Sequence, residues 1–167
     1  MVDIVDANQQ EKRQSGDDFQ EELRRSWHYV PNCWRMRIAD RSGGTRPADE
    51  IVLLSNINIL AEAKRTAGTD FKLSMIRVNQ QKGLYNFDTV IRRNKGLIFI
   101  SFLNDDIDEA YAFSFIDALR YMRTTGVQYI PLDDFRNRRI TCVKLELMHD
   151  SDGNRYYDVK GVEKCYK

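Results

Sequence analysis

The amino-acid sequence predicts a mixed α/β domain, in which helices pack against a central β-sheet. Segments with apolar residues at helical spacing alternate along the chain with short alternating or continuous apolar runs, which are typical of strands. The chain has 167 residues, the size of one domain, and 42% of them are hydrophobic, enough for a single core of ordinary size.

The first half of the chain predicts a polar arm, one helix and three strands. Residues 1–15 are polar with scattered charges, which predicts a flexible N-terminal arm. A helix is expected from about residue 16, capped by one of two aspartates, because large apolar residues then recur every four positions: Asp17 or Asp18, then Phe19, Leu23 and Trp27. Strands are predicted at 34–39, 50–54 and 57–64, and the last two are expected to form a hairpin.

The second half predicts two helices and four strands. The helices are expected at about 71–84, capped by Thr69 or Asp70, and at 114–123, ending near Gly126. The strands are expected at 97–103, 110–114, 140–148 and 156–159, with a tight turn at Asp152-Gly153. We expect the main domain over residues 16–150, with residues 151–167 forming a hairpin and tail packed on it.

Composition excludes several classes of protein. The chain has 26 Lys and Arg against 25 Asp and Glu, a net charge of +1, so it is neither a globally basic nucleic-acid-binding protein nor an acidic tail. The three cysteines are widely spaced without a CxxC motif, which predicts reduced thiols and no zinc site. Without an apolar leader or spanning segment, we expect no membrane contact.

The strand at 57–64 carries an unusual charged pair. Side chains alternate between the faces of a strand, so Glu62 and Lys64 point to one side, opposite an apolar face of Ile57, Ile59, Ala61 and Ala63. A half-buried carboxylate beside an ammonium is unfavourable unless the two groups pair or bind something. Taken alone, this pair is equally compatible with an ordinary salt bridge at a strand end.

Asp49 adds a second carboxylate to this pair. It opens the preceding strand of the predicted hairpin, and the return of the chain is expected to bring it near Glu62. Two carboxylates beside a lysine favour Mg²⁺, which takes hard oxygen ligands and keeps several waters; Mn²⁺ is the expected substitute. Asp49 and Glu62 are the predicted metal ligands, with Lys64 beside the attacking water or the developing charge.

The pattern Pro47-x-Asp49, followed by Glu62-Ala63-Lys64, resembles the signature of the PD-(D/E)xK nuclease superfamily. Within it the chain is most similar to RecU-type Holliday junction resolvases, over about residues 16–115. The similarity includes the acid-rich opening helix, a Phe-containing loop, a glutamine-bearing helix and an apolar strand: residues 16–23, Phe71-Lys72-Leu73, Gln80-x-x-x-Leu84 and residues 97–102.

The resemblance implies a restriction-endonuclease-like core, with a central mixed β-sheet flanked by helices, and metal-dependent hydrolysis of DNA. Members of the family carry a site-facing glutamine. At 100° per residue, Gln80 shares a helix face with Leu73, Ile76 and Leu84, whereas Gln81 lies well off it. Gln80 is therefore the predicted fourth catalytic residue, orienting groups around the site.

The chain departs from the family pattern in two places. Many members carry a metal-associated Glu at the position of Gln20, and here Glu22, on the other flank of the apolar face, is the tentative third ligand. A solvated helix face is the alternative for both Glu21 and Glu22. Only residues 24–48 lie between the first helix motif and Asp49, which leaves little room for the stalk of RecU-type enzymes.

Basic clusters around the predicted site are the expected DNA contacts, although a solvated loop is the alternative for each. Their members are Arg35, Arg37, Arg41, Arg46, Arg65, Lys72, Arg77, Arg92, Arg93 and Lys95.

The resemblance implies a branched or four-way DNA substrate in recombination or repair, in the cytoplasm of a bacterial or phage-infected cell. It also implies a homodimer, because symmetric cuts need two sites. Two other functions stay open: another PD-(D/E)xK endonuclease, in repair, restriction or replication, and a non-catalytic DNA-binding protein on the same scaffold.

Overall fold

The computed structural model describes residues 2–39 and 45–166, with side chains from residue 8 to residue 165 of these ranges. Its helices are α1 Val2–Trp27, α2 Val78–Val90, α3 Phe115–Thr125 and α4 Leu132–Arg136. Its strands are β1 Trp34–Arg37, β2 Glu50–Leu53, β3 Asn58–Thr66, β4 Asp70–Lys72, β5 Asn94–Leu103, β6 Asp108–Ser114, β7 Tyr129–Pro131, β8 Cys142–His149 and β9 Arg155–Asp158.

Seven of the strands form one mixed sheet in the order β1-β2-β3-β5-β6-β8-β9. The β3–β5 pair is parallel and the other neighbours are antiparallel, while β4 and β7 form a separate two-stranded sheet. The predicted mixed α/β architecture, with helices packed on a central mixed sheet, is confirmed. Among the described residues, no helix is long and apolar enough to cross a membrane.

The sheet separates two apolar clusters, and the alternation predicted for β3 is confirmed. Ile59 and Ala61 pack with Phe19, Leu23 and Trp27 of α1 on one face. On the opposite face Leu60 joins side chains of β5, α2 and α3, among them Ile98, Leu84 and Phe115. Glu62 and Lys64 therefore project toward α2, and Arg65 toward α1.

The helix predicted at 71–84 is partly wrong, because tertiary pairing takes its first residues into a strand. Phe71 is fully buried and pairs with Ile130 of β7, so residues 70–72 are extended and α2 begins only at Val78. The helix also continues past Gly83, to Val90. β7 and the short helix α4 were not predicted from the sequence.

The N-terminal boundary also differs from the prediction, because α1 already begins at Val2 and includes residues 2–15. This segment contains neither Gly nor Pro and is rich in good helix formers, so the helix propagates back from its packed end. The Gln14 side chain donates a hydrogen bond to Asp18 Oδ1 at 3.0 Å, an i,i+4 pair that supports the extension.

Two glycines bring α2 close to the rest of the fold. A Cβ at Gly83 would lie 2.6 Å from Pro47 Cβ and 2.7 Å from Pro47 O. A Cβ at Gly96 of β5 would lie 2.5 Å from Leu84 O. Both contacts require the absence of a side chain, and together they fix α2 against β5 and against the segment that leads into Asp49.

Candidate metal centre

The β2–β3 hairpin brings Asp49 and Glu62 together, as the sequence predicted. Glu50 pairs with Ala61, and extending this register by one residue places Asp49 opposite Glu62. The Asp49 N–H donates to Ala61 O at 3.0 Å, and the Ala63 N–H donates to Asp49 Oδ2 at 2.8 Å. Asp49 is thus anchored to the β3 backbone on both sides of Glu62.

Glu62 is fully buried, and its two carboxylate oxygens have different surroundings. Oε1 accepts a hydrogen bond from Gln80 Nε2 at 2.6 Å and lies 2.5 Å from Lys64 Nζ. Oε2 is buried and accepts no hydrogen bond from the described part of the chain. One oxygen is therefore fixed by the protein and the other is available to a ligand.

Gln80 is oriented by the backbone at the start of α2. Its Oε1 accepts a hydrogen bond from the Arg77 N–H at 3.0 Å, which directs its amide nitrogen toward Glu62. The neighbouring Gln81 donates instead to Ile76 O at 2.8 Å. The choice of Gln80 over Gln81 from helix geometry is confirmed as a placement beside Glu62.

Asp49 shows the same division between its oxygens. Oδ2 is fixed by the Ala63 N–H, whereas Oδ1 is buried and receives no hydrogen bond from residues 2–39 or 45–166. Arg46 Nη2 lies 2.8 Å from Oδ1, an ion pair by distance whose angle is not that of a hydrogen bond.

The two unbonded oxygens fit a hard divalent cation. A buried polar atom without a partner is destabilising, and two such carboxylate oxygens on paired residues would be satisfied by Mg²⁺. Within the described ranges, no group of three or more His, Cys, Asp or Glu side chains is arranged to hold a metal. The two-carboxylate set suits an ion that keeps waters and takes phosphate oxygens as its other ligands.

The electrostatics of Glu62 also favour a nearby cation. Burial, and after it the negative charge of Asp49, raise the pKa of Glu62 to about 7, although Lys64 acts in the opposite direction. Burial without enough positive charge thus disfavours the ionised carboxylate. A bound divalent cation would favour the ionised form.

A cavity of about 390 Å³ adjoins Asp49 on the α1 side of the sheet. Its lining includes Gln20 of α1, Arg37 of β1 and Glu50 of β2. Glu62, which projects toward α2, does not line it. The cavity therefore approaches the carboxylate pair through Asp49.

Glu22, the tentative third ligand, is committed to another interaction. Its Oε2 pairs with Arg65, and its Oε1 accepts a hydrogen bond from Arg155 Nε at 3.2 Å. The proposed ligand set is corrected accordingly, because two guanidinium groups already neutralise this carboxylate.

Arg65 was predicted to contact DNA, and the structure gives it a structural position instead. Its side chain is only 4% exposed. Besides pairing with Glu22, it donates to Ser101 Oγ at 2.9 Å and lies 4.9 Å from the Phe19 ring centroid. A cation buried in this way is not presented to a phosphate backbone.

Sequence reasoning missed Glu50, a buried carboxylate next to Asp49. It accepts a hydrogen bond from Trp27 Nε1 at 3.1 Å and pairs with Arg35. Burial raises the pKa of Glu50, against the opposing effect of Arg35. The alternation of side chains along β2 could have predicted the burial of Glu50, since Glu50 and Val52 share the face that packs against α1.

The remaining basic residues divide into exposed and paired groups. Five are exposed: Arg37, Lys72, Arg77, Arg92 and Arg93. Arg35 pairs with Glu50, Arg46 with Asp49, and Lys95 lies 3.7 Å from Asp88. Arg41 lies outside the described residues.

The basic cluster from Arg92 to Lys95 lies at the start of β5, away from the carboxylate pair. Asn94 pairs with Asn58 at the start of β3, four residues before Glu62. That separation corresponds to about 13 Å along the strand. These side chains therefore lie too far along the sheet to contact a group held between Asp49 and Glu62.

No protein-family model matches the sequence. No curated protein is detectably similar to it. Among solved structures, it is similar to the 1.6 Å structure of Hjc from Archaeoglobus fulgidus, a Holliday junction resolvase from an archaeal hyperthermophile. That match has a TM-score of 0.46 and 14% identity, and it covers 60% of this chain and 78% of the other.

Proposed function

We propose that this protein is a metal-dependent DNA endonuclease that hydrolyses phosphodiester bonds. One observation carries the proposal: Asp49 Oδ1 and Glu62 Oε2 are buried, accept no hydrogen bond from the described residues, and belong to paired positions of one hairpin. Hydrogen bonds hold the other oxygen of each carboxylate in place. This arrangement supports a site in which Asp49 Oδ1 and Glu62 Oε2 bind a cation.

Each residue of the site has a distinct role. Asp49 and Glu62 would hold Mg²⁺, or Mn²⁺ in its place, and Gln80 fixes the orientation of Glu62. When bound, the ion would lower the pKa of a coordinated water and stabilise charge on the phosphate. Lys64, whose side chain is 26% exposed beside Glu62, orients the attacking water and neutralises developing charge.

The substrate follows from the surrounding charge and from the resemblance to RecU-type enzymes. Arg37, Lys72 and Arg77 are exposed and supply phosphate contacts. Arg37 lines the cavity beside Asp49, and the Arg77 N–H donates to Gln80. We propose a branched or four-way junction as the preferred substrate, cut by a homodimer whose two sites make symmetric incisions. A role in recombination or repair in the cytoplasm of a bacterial or phage-infected cell belongs to the same proposal.

The test is cleavage by the purified protein, with and without Mg²⁺. Asp49→Asn and Glu62→Gln are expected to abolish cleavage while DNA binding, measured in EDTA, persists. Lys64→Met should lower kcat about 100-fold, the scale of one lost electrostatic contact to the transition state. Glu146→Gln, at an exposed carboxylate on β8, is the matched control and should cleave normally. Full activity of the Asp49 or Glu62 variant would refute the proposal.

A second nuclease function is favoured by the short connection between α1 and β2. The described part of this connection holds one four-residue strand, β1, and no separate stalk. An endonuclease of the same superfamily without junction selectivity would cut four-way junctions, linear duplexes and flaps equally. A preference for the four-way junction supports the resolvase proposal, and equal cutting supports this alternative.

A further inference from the structure

Arg46 lies against the oxygen of Asp49 that a bound cation would use. Its Nη2 is 2.8 Å from Asp49 Oδ1, the oxygen that no described group hydrogen-bonds. The Arg46 side chain is 17% exposed, and its carbonyl oxygen accepts a hydrogen bond from Asn79 Nδ2 at 2.7 Å. The backbone is thus tied to α2 while the guanidinium points at the carboxylate.

This arrangement satisfies Arg46 poorly. Its Nε is buried and has no hydrogen-bond partner in the described ranges, and the contact with Asp49 lacks hydrogen-bond geometry. A guanidinium presents five N–H donors in a planar fork, which matches two oxygens of a phosphate. A phosphodiester next to the site would therefore accept hydrogen bonds that the Asp49 contact leaves unmade.

We propose that Arg46 is a positioning residue that competes with the metal for Asp49 Oδ1 and moves to the substrate phosphate when the metal binds. The inference rests on the proposed nuclease function and adds a coupling between the binding of the metal and the binding of the substrate phosphate. Because such coupling is reciprocal, a phosphate that draws Arg46 away strengthens metal binding, and a bound metal strengthens phosphate binding. The enzyme then binds its metal more tightly when DNA is present.

The decisive measurement is Mn²⁺ affinity without DNA, by calorimetry or electron paramagnetic resonance, on the full chain. Arg46→Met is expected to bind Mn²⁺ about tenfold more tightly than the wild type, the scale of one charge-assisted contact removed from the ligand oxygen. Arg37→Met is the matched control, because Arg37 lines the cavity beside Asp49 but makes no described contact with that carboxylate. It should change the affinity far less.

The direction of the effect separates this role from a structural one. A variant that merely damaged the fold would bind metal more weakly, so unchanged or weaker Mn²⁺ binding by Arg46→Met overturns the inference. Arg46→Lys keeps the positive charge but has a single ammonium group in place of the planar fork. We expect its Mn²⁺ affinity to lie between those of the wild type and Arg46→Met, and it replaces Arg46→Met in the test if that variant does not fold. At saturating Mn²⁺, Arg46→Met should raise KM for DNA while kcat changes less.

The two proposals fail in different ways. If the wild-type protein binds no Mn²⁺, or if Asp49→Asn binds Mn²⁺ equally well, the metal site itself is refuted. If the wild type and Arg46→Met bind Mn²⁺ equally well at that site, the nuclease proposal stands and only the competition is refuted.

Discussion

The side-chain amide of Gln80 donates a hydrogen bond to Glu62 Oε1 at 2.6 Å, and its own Oε1 accepts a hydrogen bond from the Arg77 N–H at 3.0 Å, which fixes the orientation of the amide. The contact connects the first turn of α2 to the middle of β3. It leaves Glu62 Oε2 as the oxygen without a described partner. The orientation of the buried carboxylate thus depends on a neutral residue from another element.

Replacing Gln80 by Leu should lower kcat of DNA cleavage by about 10–100-fold, the usual effect of losing a group that orients a metal ligand. The variant should also lose about 1–2 kcal/mol of stability, because the Arg77 N–H and Glu62 Oε1 each lose a partner. Gln81→Leu is the control, since its amide bonds Ile76 O instead. Comparable loss of activity in both variants would contradict the assigned role.

Replacing Gly83 by Ala should push the segment before Asp49 away from α2. The new Cβ would lie 2.6 Å from Pro47 Cβ and 2.7 Å from Pro47 O, so backbone has to move. We expect a loss of about 1–3 kcal/mol in urea unfolding, together with reduced cleavage. Gly16→Ala, where a Cβ meets nothing within 4 Å, should be neutral or stabilising by up to about 1 kcal/mol.

Replacing Glu22 by Gln tests whether this residue is structural or a ligand. Arg65, only 4% exposed, would lose its counter-charge, and removing one partner of a buried pair typically destabilises by about 3–5 kcal/mol. Denaturant unfolding should show this loss, while Mn²⁺ affinity of the folded variant stays unchanged. Normal stability combined with weakened Mn²⁺ binding would restore Glu22 to the ligand set.

The raised pKa of Glu62 predicts a pH dependence of stability in the metal-free protein. Its folded pKa is about 7 against an ordinary value of 4.5, so the folded state favours the protonated carboxyl. The corresponding stabilisation is complete below pH 4.5 and is lost as the pH rises through 7, by about 3 kcal/mol in total. Urea unfolding at a series of pH values should show this decline in the wild type and not in Glu62→Gln.

Added Mg²⁺ should stabilise the wild type more at pH 8 than at pH 6, because Mg²⁺ binds the ionised form of Glu62. Equal pH profiles for the two proteins would contradict the assignment.

Local periodicity predicted where most residues of the candidate site lie. Strand alternation placed Glu62 and Lys64 on one face, and the hairpin placed Asp49 opposite Glu62. Helix phase favoured Gln80 over Gln81 as the site-facing glutamine that the family resemblance implies, although the start of α2 was wrong. These inferences succeed because each depends on residues close in sequence or on a fixed repeat.

The parts that failed depend on distant partners. Phe71 became extended because it pairs with Ile130, and Glu22 turned to Arg65 and Arg155, which come from strands far along the chain. The contact of Arg46 with Asp49 is a side-chain arrangement that no repeat pattern encodes. Charge counting marked Arg65 as a DNA contact, whereas burial decided its position.

The hydrogen bond from the Ala63 N–H to Asp49 Oδ2 makes one backbone proton a reporter of the centre. Its NMR chemical shift depends on the charge of the carboxylate that accepts it, and its solvent exchange depends on the opening of the hairpin. Titration with a diamagnetic cation such as Mg²⁺ would thus be visible at a single amide resonance, in the intact protein and without DNA. The Ala63 amide of β3, the strand that carries Glu62, is therefore also a spectroscopic probe of the site.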